Sequence, residues 1–324
     1  MKIDSKKIGK LVPLIGVALF IYIIIKIGID KIIHTFLLIP PLYYLGSLLV
    51  FTPKLFLAAY KWWYISYKQK MYLSIPYLAK LFLMSLFYAS LTPGALGIHV
   101  RIYYMRKKTN ASLEKCIANS FIDAVSGVIG GIILAVVGSL IYIHLFPGLF
   151  PILAVFLVFY GSAFVFFMEK KRGSRFFHIL IKPFLPDRYH ENLDKIIDLL
   201  YEDLPSLPQL ILPFLLELVI WTIAATQVYV LAQAFSIPIP YPEFIVISVV
   251  SVVVATAIPI SIGGLGVREG TFVFLLSQYG VPSEISFVLS LSGFLVKNFI
   301  PGVIGLILFF GTQGEETNRF LPKF

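Results

Sequence analysis

Ile75–Met105 reads IPYLAKLFLMSLFYASLTPGALGIHVRIYYM, an apolar stretch caught between two basic clusters. Upstream lies the loop from Lys61 to Lys70; downstream stand Arg101, Arg106, Lys107, Lys108 and Lys115. Basic loops of membrane proteins stay on the cytoplasmic side, so both clusters belong there. A helical crossing needs about 20 residues, and the gap leaves too few for two crossings and a turn. The chain therefore dips into the membrane and returns on the side it left. Thr92-Pro93-Gly94-Ala95-Leu96-Gly97 supplies the turn, because proline ends a helix and glycine admits tight backbone geometry. The reading is a re-entrant helical hairpin.

A related motif recurs in Glu243–Tyr279, where Pro259 to Gly270 reads PISIGGLGVREG. The flanking loops, Pro238–Pro242 and Gly280–Ser283, carry almost no charge, which places them outside. Glycine-rich backbone at membrane depth is tolerated only where protein or a water-filled cavity satisfies its polar groups. Broken helices at corresponding positions of two halves point to a transporter's substrate site.

The rest of the chain fits a membrane protein. Apolar residues make up 58% of it and mean hydropathy is +0.89, well above a soluble domain. Full spans are expected at Leu11–Ile25, Pro41–Tyr60, Ser112–Ile143, Phe150–Met168, Gln209–Phe235 and Ser283–Phe310. The fold class is an all-α polytopic membrane protein, six spans plus two re-entrant hairpins in an inverted repeat. The whole chain, 1–324, forms one transmembrane domain, with a first repeat over 41–143 and an inverted second repeat over 209–310. A cytoplasmic connector, 169–208, joins them. Within it Arg188–Asp203 reads as an amphipathic helix, with Leu193, Ile196, Ile197 and Leu200 on one stripe. Lys2, Lys6, Lys7 and Lys10 put the N-terminus in the cytoplasm, and the crossings return the C-terminus there. The location is the cell membrane.

The net charge of +10 marks loops beside anionic lipid, not a nucleic-acid partner. The single cysteine, Cys116, excludes an intrachain disulfide, and the scattered histidines match no metal-hydrolase spacing. No metal, no cofactor and no catalytic group is expected, so the chain is not read as an enzyme.

Charged residues inside the spans carry the functional reading, since such residues face a polar interior. Asp123 lies about 16 Å beyond Ser112 at the helical rise, near the midplane of a core about 30 Å thick. Lys297 is equally deep in its own span; the two are substrate-site candidates or else an architectural ion pair. Arg268 and Glu269 follow Gly263, Gly264 and Gly266, and a helix starting there points free N–H groups at the cavity. With the Arg268 guanidinium this suits a phosphate. Gly94, Gly97 and Arg101 hold the matching place in the first motif, although Arg101 also reads as a surface charge. Glu217 is a proton-coupling candidate or a lysine's partner. Lys54 and Lys80 are expected to snorkel to the surface. Trp62, Trp63, Tyr64, Tyr103 and Tyr104 are expected in an interfacial belt.

These residues carry a resemblance. Thr92 to Gly97 with Arg101, then Asp123 in the next helix, PISIGGLGVREG, and the basic Lys297 together resemble the transmembrane region of lysylphosphatidylglycerol synthases. The resemblance covers nearly the whole chain and implies lipid translocation. With Phe324 following soon after the last span, it argues against aminoacyl transfer. Members of that family often carry Glu-Arg shortly before the aspartate; Asn119-Ser120 stands here, which leaves the head group open. The expected function is flippase-like: moving or presenting an anionic amphiphilic lipid, a phospholipid or a polyprenyl-phosphate-linked glycan, through a midplane polar cavity. The alternatives are an intramembrane lipid-linked transferase or an accessory subunit of a glycosyltransferase. The expected partners are the membrane lipid and a glycosyltransferase or lipid-modifying enzyme; oligomer formation is compatible.

Overall fold

The computed structural model describes residues 5–92, 95–144, 147–180, 183, 190–257 and 263–319. Among them every regular element is a helix. The chain opens with α1 (Ser5–Ile27), which contains the expected first span, and α2 (Ile29–Leu37). They part at Gly28, whose φ of 97° lies in the region glycine enters freely. Next, α3 (Pro41–Lys68) does not stop at Tyr60 as the hydropathy suggests. It runs on because Lys61, Trp62, Ile65 and Ser66 are buried against other helices. The expected loop from Lys61 to Lys70 shrinks accordingly to its last residues.

The first hairpin is α4 (Ile75–Leu91), a 3-10 turn over Leu96–Val100, and α5 (Arg101–Thr109). Its base is tied where the Tyr77 hydroxyl donates to the Tyr104 carbonyl at 3.2 Å. Near its tip, Gly97 N–H donates to Thr92 Oγ1 at 2.7 Å. A Cβ at Gly97 would sit 2.2 Å from the Tyr88 carbonyl oxygen, so only glycine fits. Pro93 and Gly94 lie outside the described residues.

Then come α6 (Leu113–Ile141) and α7 (Leu149–Met168), and at their foot α8 (Lys170–Leu180) and α9 (His190–Leu200). Ser112 starts α6 by accepting the Lys115 N–H at 3.2 Å. The α9 helix rests on α6, and its Leu193 and Ile197 are buried; Ile196, expected on the same stripe, is exposed, and Arg188 lies outside the described residues. Beyond α9, Asp203 accepts from Lys115 at 2.8 Å and pairs with Lys70 at 2.6 Å. Those hydrogen bonds hold its carboxyl below the usual carboxylate range. This tie is present above the ordinary carboxylate pKa and is lost as pH falls through the lowered one.

In the second half, α10 (Ile211–Ala232) is followed by the second hairpin, α11 (Tyr241–Ala257) and α12 (Val267–Ser277). Here the base is closed by the Tyr279 hydroxyl donating to Glu243 at 2.7 Å. Finally α13 (Ser283–Phe294) passes through a π-helical turn, Leu295–Phe299, into α14 (Ile300–Arg319). Among the described residues five apolar stretches are long enough to cross a membrane: Pro41–Lys68, Leu113–Ile141, Leu149–Met168, Leu207–Phe235 and Ser283–Gly311. The protein is an all-α polytopic membrane protein.

The packing between halves is reciprocal. The α3 helix lies on α10, the first hairpin's α4 on α14, and the second hairpin's α11 on α6. Small residues let these helices approach, since lipid provides little hydrophobic drive between them. A Cβ at Gly305 would lie 2.3 Å from Leu83 Cβ, and one at Gly130 would lie 2.6 Å from Glu217 Cβ. The hairpin tips meet as well: Gly263 N–H donates to the Thr92 carbonyl at 3.4 Å.

Candidate functional site

Where the tips meet, a cavity of about 330 Å³ opens among α3, α6, α10 and the two motifs. Its charged lining is Lys54, Lys61, Asp123, Glu217, Arg268 and Lys297. Gly263 and Gly264 line it from the second motif, Ala95 and Ile98 from the first. Most of the remaining wall is apolar, so these charges stand in a low-dielectric setting where each needs a partner.

One group of partners centres on Lys61. Its ammonium pairs with Asp123 Oδ1 at 2.7 Å and with Glu217, and also reaches the Asp123 carbonyl at 3.3 Å. Asp123 receives a second cation, Arg101, through Nη1 to Oδ2 at 2.6 Å. Arg101 is fully buried, with Nε on the Ser120 hydroxyl at 2.8 Å and Nη2 on its carbonyl at 2.9 Å. The guanidinium also lies over the Trp62 ring, 4.6 Å from its centre. It is therefore not a surface charge. It stands behind Asp123 and holds that carboxylate towards the cavity.

Asn119 and Ser120 complete this wall. Asn119 accepts from Trp62 Nε1 at 2.7 Å and donates to Gln69 Oε1 at 2.8 Å. Neutral residues here fix the ring that stacks on Arg101. Trp62, expected in an interfacial belt, is wholly buried for this reason.

The second group is at the other tip. Arg268 pairs with Glu269 and donates to the Gly263 carbonyl at 3.2 Å and the Ser290 hydroxyl at 3.3 Å. It too lies over an aromatic ring, Phe294, at 4.5 Å. Glu269 Oε2 accepts the Gly266 N–H at 2.7 Å, so the chain's own carboxylate occupies part of the α12 N-terminus. The free N–H groups expected to face a ligand are reduced by that bond. Gly264 and Gly266 have φ of 78° and 84°, which supports their place in a tight turn. A Cβ on Gly266 would lie 2.2 Å from the Gly16 carbonyl oxygen of α1, so it serves packing; Gly97 likewise faces α4.

Asp123 and Lys297 are not partners of one another: Asp123 is taken by Lys61 and Arg101. Lys297 sits in the π-helical turn and lines the cavity. Lys54, expected to snorkel, is buried and donates over a long 3.5 Å to the Lys297 carbonyl. The cause is local. Pro301 has no N–H for the carbonyl one turn before it, which frees that oxygen for Lys54. Neither Lys54 nor Lys61 is expected at the site from sequence; the one signal that could have found them is their seven-residue spacing, two turns on one helix face.

The family model of the lysylphosphatidylglycerol synthase TM region matches residues 11–305. The comparison with curated proteins returns no match.

Proposed function

The chain belongs to the lysylphosphatidylglycerol synthase transmembrane family, and from that premise we propose that it moves or presents an anionic amphiphilic lipid. A phospholipid and a polyprenyl-phosphate-linked glycan both fit the reading. One observation carries it: four cations and two carboxylates line a single cavity at the junction of two hairpin tips. Charge at membrane depth is costly and is kept where it lines a substrate path. The head group would occupy the cavity while the tails stay in the bilayer. Residues 41–143 and 209–310 would act as inverted repeats, and the reciprocal packing of α3 on α10, α4 on α14 and α6 on α11 supports this.

The orientation proposed puts the basic loops and both termini in the cytoplasm of a cell-membrane protein. On a Cys116→Ala background, cysteines at Lys68 and Lys107 should then react with an impermeant thiol reagent from the cytoplasmic side only. Reaction from opposite sides would contradict a re-entrant first hairpin. For transport, the purified protein is reconstituted in liposomes carrying a fluorescent anionic phospholipid or a fluorescent polyprenyl phosphate. Inner-leaflet probe should become accessible to an external quencher faster than in protein-free liposomes. Equal protection for both probes would sink the proposal.

A further inference from the structure

Lys54 and Lys297 differ from the other cations of the cavity. Lys61 is matched by Asp123 and Glu217, Arg101 by Asp123, and Arg268 by Glu269. Among the described residues neither Lys54 nor Lys297 has a carboxylate partner, although they are only 7% and 9% exposed. Lys54 has the long bond to the Lys297 carbonyl and lies over the Phe51 ring at 5.0 Å. The Lys297 side chain donates to no described residue. Both line the same cavity, one from each half of the chain.

Formal charges make the point quantitative. The lining holds four cations and two carboxylates; adding Arg101 and Glu269 behind it gives five and three. The excess is two either way, and the two unmatched groups are these lysines. Two neighbouring buried ammonium groups without a counter-ion lower stability through desolvation and mutual repulsion. A phosphodiester carries one negative charge, which leaves one lysine uncompensated. A phosphate monoester carries about −1.5 to −2 at pH 7 and offers three acceptor oxygens. The cavity volume of about 330 Å³ lies at the small end of ligand sites, which suits a compact head group without its tails.

We propose that Lys54 and Lys297 form a paired site for a doubly charged phosphate head group, a lipid phosphate monoester or a lipid diphosphate esterified at both ends, in preference to a singly charged phosphodiester. This rests on the transport reading and narrows its substrate. Binding to the purified full-length protein in neutral detergent is followed by thermal stabilisation. The probes are farnesyl phosphate, dihexanoyl phosphatidylglycerol, inorganic phosphate and farnesol. Farnesyl phosphate should bind most tightly, with inorganic phosphate and farnesol each much weaker. Lys297→Met should lower farnesyl phosphate affinity by about tenfold to a hundredfold, the worth of a charged hydrogen bond. In the absence of ligand the same variant should melt at a higher temperature, because an uncompensated charge has gone. Lys54→Met should reduce binding in the same direction, and it provides the second variant if Lys297→Met is poorly produced. A lower ligand-free melting temperature for Lys297→Met, or unchanged farnesyl phosphate affinity, would overturn the paired site. Inorganic phosphate binding as well as farnesyl phosphate would overturn the lipid source. Phosphatidylglycerol binding as well as farnesyl phosphate would overturn the preference while leaving transport intact; binding of neither lipid, with no scrambling, would remove both readings.

Discussion

Lys61→Met should be the most destabilising single change in the membrane core. The ammonium joins Asp123 and Glu217, and all three side chains are nearly inaccessible. Methionine fills a similar volume but leaves two carboxylates facing one another. Asp123 still has Arg101, whereas Glu217 loses its ion-pair partner. Removing one member of a buried pair costs about 3–5 kcal/mol, because the remaining charge is left without compensation. Thermal unfolding in detergent should therefore shift down strongly. The pattern of rescue is diagnostic. Adding Glu217→Gln should recover much of the loss, since it removes the orphan; adding Asp123→Asn should not, since it strands Arg101. A double-mutant cycle between Lys61 and Glu217 reads the coupling directly. Melting of Lys61→Met at the wild-type temperature would rule out the three-way contact.

The second large effect is expected at Arg268, and its reason lies in the tertiary contacts. The guanidinium pairs with Glu269, holds the Gly263 carbonyl and stacks on Phe294. Arg268→Ala should thus cost stability on the order of 3–5 kcal/mol as well as lipid movement, because Glu269 stays buried with only the Gly266 N–H and one long contact from the Ser290 hydroxyl. Arg268→Lys keeps the charge but cannot fork between a carboxylate and a carbonyl while lying flat on a ring. It should fold, with a lowered melting temperature, and scramble lipid on the order of tenfold more slowly, consistent with the loss of about one charged hydrogen bond. Arg268→Ala/Glu269→Gln should melt higher than Arg268→Ala yet remain inactive. Should the double variant scramble at the wild-type rate, the second motif is a structural turn with no part in lipid handling.

Much of this architecture is legible in the chain itself. The apolar stretch Ile75–Met105 is expected from its length to dip and return, and α4 and α5 are tied at Tyr77 and Tyr104. The depth of Asp123, Glu217 and Lys297 follows from counting residues at the helical rise, and all three reach the cavity. Lys61 was hidden by its surroundings in sequence. With Trp62, Trp63, Tyr64 and Lys68 nearby, it looks like the basic and aromatic border of a membrane span.

The sequence by itself determined the helical class, the membrane setting and the inward placement of Asp123 and Lys297, because hydropathy and helical rise are local properties. Which charge meets which was decided only by tertiary structure. Lys61 reaches Asp123 across α3 and α6, Arg101 turns inward onto Trp62, and Lys54 finds a carbonyl that Pro301 has left free. Each of those contacts depends on how close two helices come, just as Gly130 lets α6 approach α10 and Gly305 lets α14 approach α4. An ion pair forms only when the helices have docked, so a chain read residue by residue cannot pair its charges, and it misplaces those, such as Lys54 and Lys61, whose burial depends on that docking.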